Sequence, residues 1–275
     1  MGCALGVAFS RAGWPVVAVA TRDAGHQARF LELVPGALAV PTVAAIADDV
    51  DLVFVTVPDD VIADVAARLR LYAGQAVVHT SGALDSRVLE PARAAGTHIG
   101  SFHPMVAFAS QEAALTALPH ATIALEGDEE LVELLGRLAS DIGAQPVRLP
   151  PTGKAAYHAA AVLAGGGVIG LLDGVAEVAR GAGLDEPGAL AIYLPLVRQA
   201  LSNAERMGIT AALTGPFVRG DVGTVRDHLA TLSRLSPGAL ELYRATARRE
   251  LDMALARGEL DEARAEPLRR LLDER

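Results

Sequence analysis

The residue best suited to proton transfer is Lys154, the only lysine among the 24 basic residues of the chain. An arginine guanidinium essentially never releases its proton, whereas a lysine ammonium can release one once it is desolvated. His158 follows four residues later, so on a helix the two side chains lie on one face, one turn apart. The pair predicts an acid/base at Lys154, with His158 orienting a substrate oxygen. The alternative is a chance lysine beside a satisfied core histidine.

Two further candidates lie in polar turns that follow predicted strands. Ser81 belongs to the turn at 79–82, and His103 to the turn at 101–104. Ligands of an open parallel sheet bind beyond the carboxyl ends of its strands. Both side chains are donors for a substrate oxygen, which predicts catalytic positions for them. The alternative is that they only cap strands and helices.

Strands and helices must position these residues, and the apolar pattern that predicts them changes at the double proline 150–151. Before it, short apolar runs alternate with helical segments, which is typical of a doubly wound parallel sheet. The strands are expected at 16–20 (fully buried), 37–40, 51–57, 76–79, 97–102, 121–125 and 145–149. The main helices between them are expected at 26–33, from a cap at 58–60 to 71, at 86–95 and at 129–142. After the prolines only helices are expected, at 154–181, 187–207, 221–235, 237–257 and 261–272.

The sequence therefore predicts an α/β protein of two domains. Residues 1–150 are expected to form a Rossmann-like doubly wound parallel sheet that binds a dinucleotide. Residues 151–275 are expected to form an all-α domain that contributes to substrate binding. Lys154 then falls at the domain junction, a place where ligand clefts often form.

The N-terminus has the pattern of half a dinucleotide-binding unit. Gly2, Gly6 and Gly13 frame a short apolar helix, and a strand follows at 16–20. In such a unit the turn Gly-x-Gly-x-x-Gly lies between the first strand and this helix. Gly2 would be the last glycine of that turn, so the first strand of the sheet is expected upstream of Met1. The alternative is an ordinary helix and strand.

The residues after the strand at 16–20 bear on the choice of cofactor. An arginine there accommodates the extra phosphate of NADP, whereas NAD-specific sites place a carboxylate on the ribose hydroxyls. Thr21 and Arg22 therefore predict NADP rather than NAD, although Asp23, one place later, would also reach the ribose. The cofactor is expected to be bordered also by Val57, Pro58 and Asp59.

A turn interrupted by glycine and proline, 213–221, separates two helices of the second domain. Thr214 and Arg219 offer donors to a substrate carboxylate, and Arg198 is a second arginine for that role. The alternative is an ordinary loop in which Asp221 caps the next helix.

Composition argues against several other classes of protein. The net charge of −9 argues against a nucleic-acid or anionic-membrane surface. The single cysteine, Cys3, excludes an internal disulfide and fits a reducing cytoplasm. Without a cysteine cluster or a histidine/acid pair at ligand spacing, no metal site is expected. No signal peptide is expected, and the apolar window 155–172, although long enough to span a bilayer, is expected to be a buried or interface helix.

Four segments carry a resemblance to a known family. They are His-Thr-Ser-Gly-Ala at 79–83, Gly-Ser-Phe-His-Pro-Met at 100–105, Lys-Ala-Ala-Tyr-His-Ala-Ala-Ala at 154–161 and Leu-Thr-Gly-Pro at 213–216. As a set they resemble the Rossmann-like proteins with an uncharacterised C-terminal helical domain, which are similar to ketopantoate reductase, pyrroline carboxylate reductase and the 6-phosphogluconate and hydroxyisobutyrate dehydrogenases. The resemblance covers nearly the whole chain. It implies that Lys154 stands where the wider superfamily has its catalytic lysine, and that the protein is a homodimer built through the helical domain.

These observations predict an NADP-dependent oxidoreductase that transfers a hydride to or from a small oxo or hydroxy acid, with ketopantoate-like substrates first. Hydride transfer needs an aligned cofactor and substrate and one acid for the new alkoxide or amine. Lys154 suits that task. The same lysine chemistry permits imine reduction. A non-catalytic nucleotide-binding or interaction protein on the same scaffold is the remaining alternative.

Overall fold

The computed structural model describes residues 1–45, 50–93, 96–108 and 110–274. The chain divides into two compact units, Met1–Leu163 and Ala164–Arg275. The predicted boundary lies earlier, at 150/151, and the difference includes the helix that begins at Lys154, which belongs to the first unit. Cofactor binding by residues 1–150 and substrate binding by residues 151–275 stay predictions.

The first unit is built on seven strands within the described residues. They are β1 (Ala18–Val19), β2 (Leu38–Ala39), β3 (Leu52–Val55), β4 (Ala76–His79), β5 (His98–Pro104), β6 (Thr122–Gly127) and β7 (Gln145–Arg148). A five-stranded sheet has the order β3-β4-β5-β6-β7; β6 runs antiparallel to β5, and the other neighbouring pairs are parallel. β1 and β2 pair in parallel as a separate sheet. The predicted, largely parallel α/β fold is confirmed, with one antiparallel strand.

Helices and short 3₁₀ turns connect these strands. The helices are α1 (Gly2–Arg11), α2 (Ala24–Leu33), α3 (Ile62–Arg68), α4 (Glu90–Arg93), α5 (Gln111–Ala117), α6 (Glu129–Asp141) and α7 (Lys154–Val162). The 3₁₀ turns are Val43–Ala45, Asp59–Val61, Ser86–Leu89, Leu118–His120 and Pro151–Gly153.

Apolar residues cover both faces of the larger sheet. Val78 and Phe102 pack on one face with α1 and α6, whereas Val77 and Ile99 pack on the other with α3 and α4. Successive residues of a strand point to opposite faces, so a sheet covered on both sides needs the continuous apolar runs seen in the sequence. Polar chemistry is therefore placed at the ends of the strands.

The strand predicted at 16–20 is shorter and less buried than expected. Only Ala18–Val19 form β1, both residues are half-buried, and Val17 is 41% exposed. β1 pairs with β2 on one side, and no described strand pairs with it on the other. The prediction of a fully buried strand is therefore wrong. A further strand upstream of Met1 stays a prediction.

Other element boundaries differ by a few residues. α2 begins before its predicted start because the Asp23 carboxylate caps it, accepting from the His26 N–H at 2.7 Å. The segment predicted at 86–95 begins as a 3₁₀ turn and continues as α4, and positions 94 and 95 lie outside the described residues. The prediction omits α5, which Ser110 caps by accepting from the Ala113 N–H.

The second unit consists of helices and turns throughout its described residues. They are α8 (Val168–Gly181), α9 (Glu186–Met207), α10 (Ile209–Ala212), α11 (Pro216–Arg219), α12 (Val222–Leu235), α13 (Pro237–Ala256) and α14 (Glu262–Asp273). The helix predicted at 154–181 is interrupted by a π turn at Leu163–Gly167, where three consecutive glycines weaken the α-helix. Phe217, Val225, Leu251 and Leu268 form the centre of the unit's main core.

The long apolar helix differs from its prediction in burial. Pro151–Gly181 is the one described stretch that is long and apolar enough to cross a membrane, with a mean hydropathy of 1.8, and 11% of that window is buried. Ile169 on α8 is 66% exposed, and Leu196 on α9 is 65% exposed. The expectation of a buried helix is therefore wrong, and an interface helix stays a prediction.

Candidate active site

The carboxyl ends of β3, β4 and β5 meet at one edge of the larger sheet, because these strands are parallel. Val55, His79 and Ser101 are in register there, and Glu126 of β6 is paired with Ser101. Residues in register on neighbouring strands share a face of the sheet. A row of three polar side chains thus lies at the level where the turns after β3 and β4 begin.

Lys154 reaches into this edge from the first position of α7. The residue is 2% exposed, and its Nζ donates to the Ser81 carbonyl at 2.9 Å and to Ser101 Oγ at 2.8 Å. An ammonium has three N–H groups. The third has no acceptor among the described residues.

Burial adjusts the acidity of this ammonium. Desolvation lowers the pKa of Lys154 from 10.5 to about 8, because a charge is disfavoured away from water, and the carboxylates of Glu126, Asp59 and Asp85 oppose the change. The ammonium therefore predominates at pH 7 and still releases its proton readily. A proton donor with a pKa near the working pH is what general acid catalysis requires.

Two imidazoles meet beside Gly82. A Cβ on Gly82 would lie 2.5 Å from His158 Nδ1 and 2.7 Å from His103 Nε2, so the lack of a side chain there leaves room for both rings. His158 Nδ1 is buried and has no hydrogen-bond partner among the described residues. Burial and, next, the charge of Lys154 lower the pKa of His103 to about 4, so this ring is neutral at pH 7. Neutral ring nitrogens can orient a substrate oxygen beside the ammonium.

Tyr157 fixes one of these rings. Its Oη lies 3.1 Å from His103 Nδ1, and the two rings are edge-on with centroids 5.6 Å apart. The same hydroxyl donates to Met105 Sδ at 3.9 Å. The tautomer of His103 decides whether Nδ1 donates to this hydroxyl or accepts from it, and therefore whether Nε2 faces Gly82 as an acceptor or as a donor.

Ser81 holds Lys154 through its carbonyl and not through its side chain. The Ser81 hydroxyl donates to Asp59 Oδ2 at 2.8 Å and accepts from the N–H groups of Ala83 and Leu84 at 3.1 and 3.0 Å. A hydroxyl has a single hydrogen. The predicted donation from Ser81 to a substrate oxygen therefore has no free hydrogen in this arrangement, and the residue instead orders the turn and Asp59.

The residues expected around the cofactor lie beyond the ends of β1 and β3. Gly2 packs against Thr56, and a Cβ on Gly2 would collide with Thr56 Oγ1. Thr21 and Arg22 are exposed after β1, while Asp23 is engaged as the cap of α2. The close approach at Gly2 and the exposed guanidinium of Arg22 suit a dinucleotide with an extra phosphate. Val57 is half-buried after β3, and Pro58 and Asp59 are exposed.

The remaining candidates belong to the second unit. Thr214, Arg219 and Arg198 are exposed there, and their binding of a substrate carboxylate stays a prediction. Asp221 caps α12 by accepting from the Thr224 N–H at 3.1 Å, as the alternative reading of this loop expects. Across the described ranges no group of three or more His, Cys, Asp or Glu side chains is placed to hold a metal ion.

Sequence reasoning missed Ser101, Tyr157 and Glu126. A lone acid in the otherwise apolar strand Thr122–Gly127 was a signal for Glu126, which is 4% exposed. Tyr157 lies three residues after Lys154, a spacing that places the two on neighbouring helix positions. Ser101 begins the polar turn at 101–104, but its contact with Lys154 joins positions that are distant in the sequence.

Comparison with known proteins gives two family matches. Residues 1–104 match the model of a Rossmann-like domain, and residues 121–250 match the model of a domain of unknown function, DUF2520. The second match includes β6 and α7, and therefore Glu126 and Lys154. No curated protein matches the chain.

Several solved structures share the fold. Protein TM1727 from Thermotoga maritima is 28% identical, with a TM-score of 0.73 over 92% of this chain and 96% of that one. A putative NADP oxidoreductase, BF3122 from Bacteroides fragilis, is 21% identical, with a TM-score of 0.72 over 91% and 93%. A reductive aminase from Aspergillus terreus in complex with NADPH and ethyl-5-oxohexanoate is 18% identical, with a TM-score of 0.71 over 98% and 95%.

The family matches confirm the resemblance that the sequence motifs suggested. At their identities, BF3122 and the reductive aminase support the fold alone. Residues 1–104 are thus similar to a Rossmann-like domain, and residues 121–250 to a DUF2520 domain.

Proposed function

We propose that this protein is an NADP-dependent oxidoreductase that transfers a hydride to or from a small oxo or hydroxy acid, with Lys154 as the acid/base. The observation that carries the proposal is the buried ammonium at the carboxyl edge of the sheet, with two N–H groups held by the protein and a third that has no acceptor within the described part of the chain. The exposed Arg22 after β1 supports the choice of NADP. Ketopantoate-like acids are the first substrates to test.

The chain's own residues would bind the substrate and move one proton. NADPH, when bound, supplies the hydride. The substrate oxygen accepts the third N–H of Lys154 and is oriented by His158 and His103. As the carbon gains the hydride, the C=O π electrons move to the oxygen, and the Lys154 proton passes to that oxygen. The substrate becomes an alcohol, and Lys154 is left as a neutral amine. The lysine then regains its proton from water.

The protonation of Lys154 gives the rates of reduction and oxidation opposite pH dependences. Reduction uses the ammonium, so its rate should fall as the pH rises through about 8, where the pKa of Lys154 lies. Oxidation uses the neutral amine as a base, so its rate should rise over the same range.

Imine reduction is a second candidate, because the same ammonium can protonate the nitrogen of a C=N bond. Structural likeness to an NADPH-bound reductive aminase favours including it. A screen that offers oxo acids with and without an amine donor distinguishes the two reactions. Turnover that requires the amine would assign imine reduction.

The first experiment titrates the purified chain with NADPH and with NADH and follows nicotinamide fluorescence. We expect NADPH to bind about tenfold or more tightly than NADH, because one charge-assisted phosphate contact is worth that much. A folded chain that binds neither nucleotide, or that binds NADPH without any turnover, would support the non-catalytic alternative.

The second experiment replaces Lys154 by arginine. Lys154→Arg keeps the charge but cannot donate a proton, so NADPH binding should persist while turnover falls by about 10²-fold or more. Arg137→Lys, on the exposed side of α6, is the matched control and should keep wild-type turnover. An active Lys154→Arg enzyme would remove Lys154 from its role.

A further inference from the structure

Glu126 carries a second buried charge close to Lys154. It is 4% exposed, and its carboxylate accepts from the Ser86 N–H and from the Ser86 hydroxyl, both at 2.7 Å. No arginine or lysine of the described residues forms an ion pair with it; the Arg87 guanidinium, which is paired with Asp85, acts on it only from beyond ion-pair distance. A buried carboxylate held by two hydrogen bonds alone is costly unless a positive charge compensates it.

The buried charge of Lys154 is positive, and it too has no ion-pair partner among the described residues. Its ammonium is buried and bound to two neutral oxygens, those of Ser81 and Ser101, with no carboxylate of the described residues in contact. Ser101 is also the residue of β5 that pairs with Glu126 of β6. Ser101 of β5 therefore contacts the Lys154 ammonium and stands beside Glu126 of β6, at one level of the sheet.

We propose that Glu126 is a positioning residue for Lys154, its carboxylate fixed by Ser86 so that it balances the ammonium across β5 and keeps the charged lysine at the edge of the sheet. This inference rests on the proposed function, because it concerns the proton donor of that reaction. Glu126 is not among the site residues that the sequence predicts.

The other charged or titratable groups around Lys154 are less able to do this. They are Asp59 after β3, His79 on β4, Asp85 before the 3₁₀ turn, His103 on β5 and, on α7 itself, Tyr157 and His158. Asp85 already pairs with Arg87 at 2.6 Å. Asp59 is exposed, so water screens its charge. Glu126 is the largest of the influences that raise the pKa of Lys154 against its desolvation, which agrees with the geometry.

A purely structural role for Glu126 would be to anchor the 3₁₀ turn Ser86–Leu89. Glutamine separates the two roles, because its amide oxygen still accepts from the Ser86 N–H while its charge is absent. Glu126→Gln should therefore keep the anchor and lose the effect on Lys154.

The test uses the fact that Lys154 is the only lysine. Protein labelled with ¹⁵N-lysine gives a single lysine side-chain resonance, and an NMR pH titration then reads the pKa of Lys154 without cofactor or substrate. We expect a midpoint near 8 in the wild type, and a midpoint lower by about 1 in Glu126→Gln, because a nearby opposite charge stabilises the ammonium. Glu130→Gln, an exposed position on α6, should titrate like the wild type. Equal midpoints for Glu126→Gln and the wild type would overturn the proposal.

Turnover supplies an independent measurement if the protein reduces an oxo acid. A pKa lower by 1 leaves about fivefold less ammonium at pH 8 and nearly the same amount at pH 6. Glu126→Gln should thus show about fivefold lower kcat at pH 8 and little change at pH 6. A protein with no turnover at all would contradict the proposed function, while the NMR titration would still decide the role of Glu126.

A stability comparison covers the case in which Glu126→Gln does not fold. Suppose that Glu126→Gln fails to fold because the Lys154 ammonium is left without a compensating negative charge. Then Glu126→Gln/Lys154→Met should fold and should have a higher Tm than Glu126→Gln. Lys154→Met alone leaves the carboxylate unbalanced, so it should also fall below the double variant. A double variant that is no more stable than either single variant would show that the two charges are not coupled and would overturn the proposal.

Discussion

Burial sets the protonation of the groups around Lys154. His79 Nδ1 accepts from the Ser81 N–H at 3.1 Å, so the ring proton is on Nε2, which donates to the Asp85 carbonyl at 3.2 Å. Desolvation, followed by the charge of Lys154, lowers the pKa of His79 to about 4. The imidazole of His79 is therefore neutral beside the Lys154 ammonium, which limits the positive charge that this edge of the sheet must accommodate.

These neutral histidines make stability depend on pH. The pKa values of His79 and His103 are about 4 in the folded protein and 6.5 when unperturbed, so the unfolded chain binds more protons between these limits. Stability should fall as the pH falls from 6.5 to 4, by up to about 1.4 kcal/mol per pH unit for each histidine. Urea unfolding of His79→Gln at pH 7, 6 and 5 should show a weaker pH dependence than the wild type.

The control for this prediction is His120→Gln, at an exposed position, which should keep the wild-type pH dependence. Parallel curves for His79→Gln and the wild type would mean that other groups, such as carboxylates, account for the acid sensitivity.

At the scale of elements, the turn after β4 brings the site together. Its Ser81 hydroxyl holds Asp59, its Ser81 carbonyl holds Lys154, and Gly82 gives room to two imidazoles. β4 places this turn beside the ends of β3 and β5 because all three strands are parallel. One short segment therefore links residues from three strands and from α7.

Gly82→Ala tests the role of this turn. The added methyl would meet His158 Nδ1 at 2.5 Å and His103 Nε2 at 2.7 Å, so both rings must move. We expect a loss of stability of about 1–3 kcal/mol, typical of overpacking, and a fall in turnover of at least tenfold with intact NADPH binding. Denaturant unfolding and steady-state kinetics measure the two effects. Gly36→Ala, where nothing lies within 4 Å of the added methyl, should change neither quantity, and wild-type kinetics in Gly82→Ala would contradict the arrangement.

At the scale of the whole molecule, the second unit exposes an unusual amount of apolar surface. Ile169 on α8 is 66% exposed, and Ile192, Leu196 and Leu201 on α9 are 54%, 65% and 57% exposed. The two helices pack against each other, so these side chains lie on neighbouring elements. Large apolar patches on a folded protein mark interaction surfaces, and symmetric association with a second copy is the commonest way to cover one.

We therefore expect a homodimer through the helical unit. Light scattering on the purified protein should give twice the chain mass at micromolar concentration, and Leu196→Glu should give the monomer, because a carboxylate at an apolar interface is costly to desolvate. Leu38→Glu, at a 72% exposed position on β2, is the matched control and should stay dimeric. A monomeric wild-type protein would exclude this assembly.

The sequence by itself determined the elements and the chemistry of single residues. Periodic apolar runs, glycine and proline positions fix most strands and helices through local physics, and the lone Lys154 stood out because lysine and arginine differ in acidity. β1 was the exception, since its burial depends on what pairs with its edges and not on its own apolar residues. Bounds such as the start of α2 depended on one capping side chain.

The tertiary structure alone decided which of these residues meet. Ser101 contacts Lys154, and strand register places Glu126 beside Ser101, a relation between segments that no local pattern encodes. The occupied hydroxyl of Ser81, the crowding at Gly82 and the lowered pKa of Lys154 follow from packing and desolvation, which exist only once distant parts of the chain exclude water together.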